Sequence, residues 1–132
     1  MHMRYLIIGA VVGLGLGTAA AAADTALKAD LTGAGGSGTA KVSVSDAGQV
    51  CWQLSVKGLT DVTAAHIHKG AAGASGPPVV PMTAPDASGA SKGCAAASAD
   101  VAKDLVANPG NYYVNVHTKA APGGAIRGQL SK

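Results

Sequence analysis

The segments Ala64-Ala65-His66-Ile67-His68-Lys69-Gly70 and Tyr112-Tyr113-Val114-Asn115-Val116-His117-Thr118 hold three of the four histidines in the 132-residue sequence. On an extended strand, residues two apart share a face within about 7 Å of each other, so His66 and His68 point the same way and can reach one ion. His117 falls on the polar face of its own segment and is the candidate third ligand. A lone His-x-His on an exposed strand face is commonly only a solvated surface feature, and the matching face of His117 is what favours a metal site. All seven acidic residues are Asp, mostly in turns, and no thiolate lies nearby, so three imidazoles would dominate the site. Imidazole suits copper and zinc better than calcium or magnesium, and copper binds nitrogen ligands most tightly among divalent ions. Copper is the expected cofactor, with zinc the alternative. Asn115 and Tyr113 either hydrogen-bond the ligands or are plain polar-face residues. Met82 is either a soft axial ligand or core packing, and Arg127 either steers an anion to the metal or pairs with a surface Asp.

Strands must position these groups. Leu27, Ala29 and Leu31 alternate with Lys28 and Asp30, which predicts a short half-buried strand, followed by a turn-rich break over Gly33 to Gly38. Ala40, Val42 and Val44, then Asp46-Ala47-Gly48, then Val50, Trp52, Leu54 and Val56 describe an antiparallel hairpin with one wet face, Trp52 anchoring the core. The His-x-His strand follows, with Ala65 and Ile67 on its apolar face. Gly70 to Pro78 is too rich in Gly and Pro for regular structure, and Pro81 confines the short run Val79 to Met82 to a sheet edge. Ser98 to Asn108 reads as the one helix: Ser98 caps it, Asp100 lies in its first turn, Val101, Ala102, Leu105 and Val106 form its apolar stripe, and Asn108-Pro109-Gly110 ends it. A last hairpin turns at Pro122-Gly123-Gly124. It sends Tyr112, Val114, Val116, Ile126 and Leu130 inward and leaves Tyr113, Asn115, His117, Arg127 and Gln129 on the polar side. Short strands, turns and a single helix predict an all-β, antiparallel Greek-key sandwich or barrel.

Residues 1–23 read as a signal peptide: Arg4, an uncharged apolar run, and Ala21-Ala22-Ala23 before Asp24. The uncharged stretch Tyr5 to Ala23 also approaches the roughly 20 residues of an uncleaved anchor. Cleavage leaves one domain over residues 24–132, with no remaining membrane span and a periplasmic or secreted location. Nine basic against seven acidic residues then give a net charge of +2. The basic residues are dispersed singly along the chain, so no nucleic-acid partner is expected. Cys51 and Cys94 are the only cysteines, and an oxidising compartment makes their pairing the default reading over free thiols or metal thiolates.

The segments His66-Ile67-His68-Lys69-Gly70, Gly76-Pro77-Pro78-Val79-Val80 and Tyr112 to Thr118, closing with Pro122-Gly123-Gly124-Ala125-Ile126-Arg127-Gly128-Gln129-Leu130, resemble the CHRD (chordin) domain. The resemblance covers most of the chain after the leader and implies an immunoglobulin-like β-sandwich of extracellular proteins. Ala125 stands where the family commonly has Glu, which removes a carboxylate partner for Arg127 or for a metal. The same residues are more weakly similar to copper-zinc superoxide dismutase, a Greek-key barrel. That similarity implies His66, His68 and His117 as copper ligands and Arg127 as the superoxide guide, but this chain has no further histidines for a bridging ligand or a zinc site. Three functions follow: an exported protein binding one metal ion, most readily copper, for storage, delivery or tolerance; a dismutase-like redox enzyme; and a structural or interaction module without metal. Binding without catalysis is favoured over an enzyme. The expected partners are the metal ion and another exported protein.

Overall fold

Period-two alternation of apolar and polar residues sorts each strand into an inner and an outer face, and the fold follows that sorting. A computed structural model describes residues 24–132, so the expected leader lies outside the described residues. Among these residues eight strands form: β1 (Thr25–Gly33), β2 (Gly36–Val44), β3 (Gln49–Lys57), β4 (Val62–Lys69), β5 (Pro78–Met82), β6 (Ala90–Ala96), β7 (Tyr112–Thr118) and β8 (Ile126–Gln129). Helix α1 (Ala99–Ala107) and a 3-10 turn (Pro109–Asn111) lie between β6 and β7. The turn after β1 is tighter than expected. It uses only Ala34 and Gly35, with Gly35 at φ 75°, while Gly36 to Gly38 already pair in β2.

Every strand pair is antiparallel, in the order β5-β4-β7-β8-β1-β2-β3-β6. The two terminal strands approach each other and nearly close the sheet into a barrel. Ser91 of β6 links the seam: its hydroxyl donates to the Thr83 carbonyl just past β5 (2.6 Å) and accepts the indole N–H of Trp52 on β3 (3.1 Å). The β3–β4 and β6–β7 connections each pass over two strands of this ring, which is Greek-key connectivity. Inward residues Leu27, Leu31, Val50, Leu54, Ile67, Val80, Val114, Val116 and Ile126 fill one core with Trp52. The indole fits because its cross-strand neighbour is Gly93, where a Cβ would stand 2.7 Å from Trp52 Cζ2.

Strand β6 has no sequence signature of its own: Ala-Ser-Lys-Gly-Cys-Ala-Ala lacks β-branched and aromatic residues. Its partner makes it a strand. It pairs with β3 from Ala90 to Ala96, and Cys94 lies directly opposite Cys51 with Cα atoms 4.0 Å apart, joined as a disulfide. Helix α1 forms as its pattern predicts, with Ser98 Oγ accepting the Val101 N–H and Ala102 and Leu105 buried. Asp104 on this helix receives the Asn108 amide (2.8 Å) and the Tyr112 hydroxyl (2.5 Å), tying α1 to the start of β7. The Tyr112 hydroxyl, helped by Asn108, holds the Asp104 carboxyl below the usual range. Burial, with Asp104 as partner, pushes the Tyr112 phenol up.

Because the disulfide closes a loop with a sequence separation of 43, replacing Cys51 and Cys94 together by Ser is expected to lower unfolding stability by about 2–4 kcal/mol. Urea unfolding checks this. A change under about 0.5 kcal/mol would show that β3–β6 pairing and the Ser91 links hold β6 in place unaided.

Candidate metal centre

The site arises from the register of β4 against β7. His66 faces Asn115, His68 faces Tyr113 and Ala64 faces His117, so the outer faces of the two strands merge and carry all three imidazoles. Ring centroids are 5.4 Å apart for His66 and His68, 5.1 Å for His66 and His117, and 5.5 Å for His68 and His117. One ligand nitrogen from each ring lies within 4.8 Å of the others. The expectation of a third partner from another strand is met by His117. A register shift in β5 beside Ile67 and His68 marks the end of β4 nearest the following loop.

Backbone carbonyls orient two of the rings. His68 Nδ1 lies 2.8 Å from the Gly76 carbonyl and His117 Nδ1 lies 2.9 Å from the Pro122 carbonyl. A carbonyl can only accept, so each Nδ1 donates, and in the neutral tautomer this selects each Nε2 keeps its lone pair. His117 Nε2 sits 3.1 Å from His66 Nδ1 and accepts that proton in the metal-free protein. His68 Nε2 is buried and has no hydrogen-bond partner among the described residues. His66 and His117 remain half-buried, which leaves the group open to solvent on one side. Burial, then the neighbouring charges of His117 and His68, hold the His66 imidazole below the ordinary histidine value.

The other expected residues separate. Tyr113 belongs to the site: its ring stacks on His68 at 5.0 Å and 14°, and its hydroxyl accepts the Gly76 N–H (3.1 Å). Asn115 lies opposite His66, donates to the Gly123 carbonyl (3.2 Å), and has a buried Oδ1 without a partner. Met82 is not brought to the site. It pairs with Ala65 on the inward face and packs in the core, which is the packing role.

Arg127 neither pairs with an Asp nor turns to the imidazoles. Its register partner is Asn115, and its guanidinium lies 3.5 Å over the Tyr113 ring. It donates to the carbonyls of Ala74 (2.8 Å) and Ala71 (3.5 Å) and to Gln129 Oε1 (3.0 Å). Gln129 in turn donates to the carbonyls of Gly70 (3.0 Å) and Gly110 (2.8 Å). The segment between β4 and β5 is therefore irregular, as its Gly and Pro content predicts, yet pinned along its length. It covers the outer face of β7, so Tyr113 and Asn115 are buried where a wet strand face is expected. Gly76 sits so close to the Lys69 carbonyl that no Cβ fits there. Sequence reasoning missed Gly76, Pro122 and Gln129: the first two act through backbone carbonyls, which carry no residue-type signal.

The CHRD domain family model matches residues 18–130. No curated protein matches the chain.

Folded His66 binds a proton less readily than the unfolded side chain. The metal-free protein is therefore expected to hold its stability above pH 6.5 and to lose part of it as the pH falls from there toward the lowered value. His117→Gln removes a like, repelling charge and should partly flatten that dependence, as read from unfolding curves at about pH 7.5 and about pH 5. An unchanged slope would assign the effect to burial of His66 or to other groups. Arg127→Gln should raise amide exchange at Ala74 and Gly76 by about tenfold or more while Ile67 and Val114 stay protected. Unchanged exchange at Ala74 would show that the loop holds itself.

Proposed function

The chain belongs to the CHRD-domain family, and from that membership together with its three-histidine face we propose an exported protein that binds one metal ion for storage, delivery or tolerance. The observation that carries this reading is the buried, partnerless Nε2 of His68. A buried acceptor left without a partner disfavours the fold by about 1–3 kcal/mol. The purely structural alternative explains the His66–His117 hydrogen bond but leaves this atom without a purpose. An ion held by His66, His68 and His117 uses it.

The donor set points to copper, with zinc second. All three donors are imidazoles, no thiolate or carboxylate joins them among the described residues, and at nitrogen donors copper outcompetes zinc. The carbonyls of Gly76 and Pro122 serve as the orienting partners that ligating histidines ordinarily have. Bound copper would supply a one-electron redox couple. The residues of this chain hold and orient the ion, and the half-buried rims of His66 and His117 leave an approach for a donor or acceptor of metal. The dismutase alternative asks Arg127 to draw an anion toward the ion, whereas that guanidinium is engaged with loop carbonyls and the Tyr113 ring. Export rests on the leader-like residues 1–23 and agrees with the Cys51–Cys94 disulfide.

Metal content after loading with copper or zinc tests the proposal. Wild type should retain one equivalent, copper more tightly than zinc, and a variant with His66, His68 and His117 all replaced by Ala should retain none. Equal uptake by both would remove every metal reading. Superoxide turnover by the copper form that collapses in Arg127→Ala would put the enzyme first.

A further inference from the structure

Antiparallel pairing brings together lysines that lie far apart along the chain. Lys28 of β1 is directly opposite Lys41 of β2, Lys41 is opposite Gln53 of β3, and Gln53 is opposite Lys92 of β6. Three exposed lysines thus stand in a single row across four strands on the outer face of the barrel. Like charges directly opposite one another disfavour a sheet, so this arrangement is not explained by stability. The row crosses a shallow concavity of about 640 Å³ that Lys132 also lines, together with Ser43 and the disulfide, and none of its lining residues is acidic. Asp30, further along β1, faces Thr39 outside it.

We propose that this face docks on a bilayer surface bearing anionic headgroups. The lysines are exposed and spread over a broad, open surface, which suits an extended layer of negative charge better than one enclosed anion. Among the described residues no helix is long and apolar enough to cross a membrane.

Flotation of the full chain with phosphatidylcholine vesicles and with vesicles also containing phosphatidylglycerol tests the proposal. Any partitioning of residues 1–23 is common to all variants, so the readout is the increment due to phosphatidylglycerol. That increment should fall roughly fivefold per lysine removed, on the order of a hundredfold for K28Q/K41Q/K92Q, and should fade with added salt. A control, K57Q/K103Q/K119Q, has the same net charge with the changes elsewhere and should keep most of the increment. All six positions are exposed, and unchanged thermal unfolding would confirm that each variant is folded. An increment untouched by the first triple variant, or lost equally in both, would overturn the proposal. So would equal, lysine-dependent binding of soluble polyglutamate that displaces the protein from vesicles, which would assign the face to an acidic protein.

Discussion

The register of β4 on β7 is the constraint from which the rest follows. With His66 opposite Asn115, the inward residues Ala65 and Ile67 meet Val116 and Val114 in the core, and the outward residues place three imidazoles in one group. A slip by one residue would turn His66 and His68 into the core and Ile67 to solvent. Burial of the apolar set and assembly of the imidazole set are therefore one event. The core enforces the site.

Around that register, the segment between β4 and β5 converts a pair of strands into a structured pocket wall. Gly76 offers its carbonyl to His68 and its amide to Tyr113, and Arg127 and Gln129 hold the neighbouring carbonyls. Tyr113 is reached from β4 by the His68 ring and from β8 by the Arg127 guanidinium, so one aromatic ring connects the ligand set to the loop clamp. The chemistry of Arg127 is accordingly that of a planar fork satisfying backbone carbonyls over an aromatic face, a role a lysine could not copy.

What was legible in the sequence was whatever periodicity and residue type encode. Alternation identified the strands carrying the histidines, the face of His117 and the inward partners Ile126 and Leu130. Cap chemistry at Ser98 and Asn108 bounded the helix within a residue. What was not legible depends on pairing between distant segments. Strand β6 has Ala and Gly where a strand signal would be and exists because β3, Cys51 and Trp52 receive it. The orienting carbonyls of Gly76 and Pro122 are backbone atoms. Lysines dispersed along the chain gave no hint that Lys28, Lys41 and Lys92 share a row, because that row is created by three separate registers. The role of Arg127 likewise depends on where a Gly-rich loop folds back.

Strand order also gives the barrel a front and a back. Round the ring, β2 stands four strands from β4 and β3 four from β7, so the middle of the lysine row and the imidazole group lie on opposite walls of one apolar core. A contact made through the lysine wall would leave the imidazole face open to whatever came to exchange an ion.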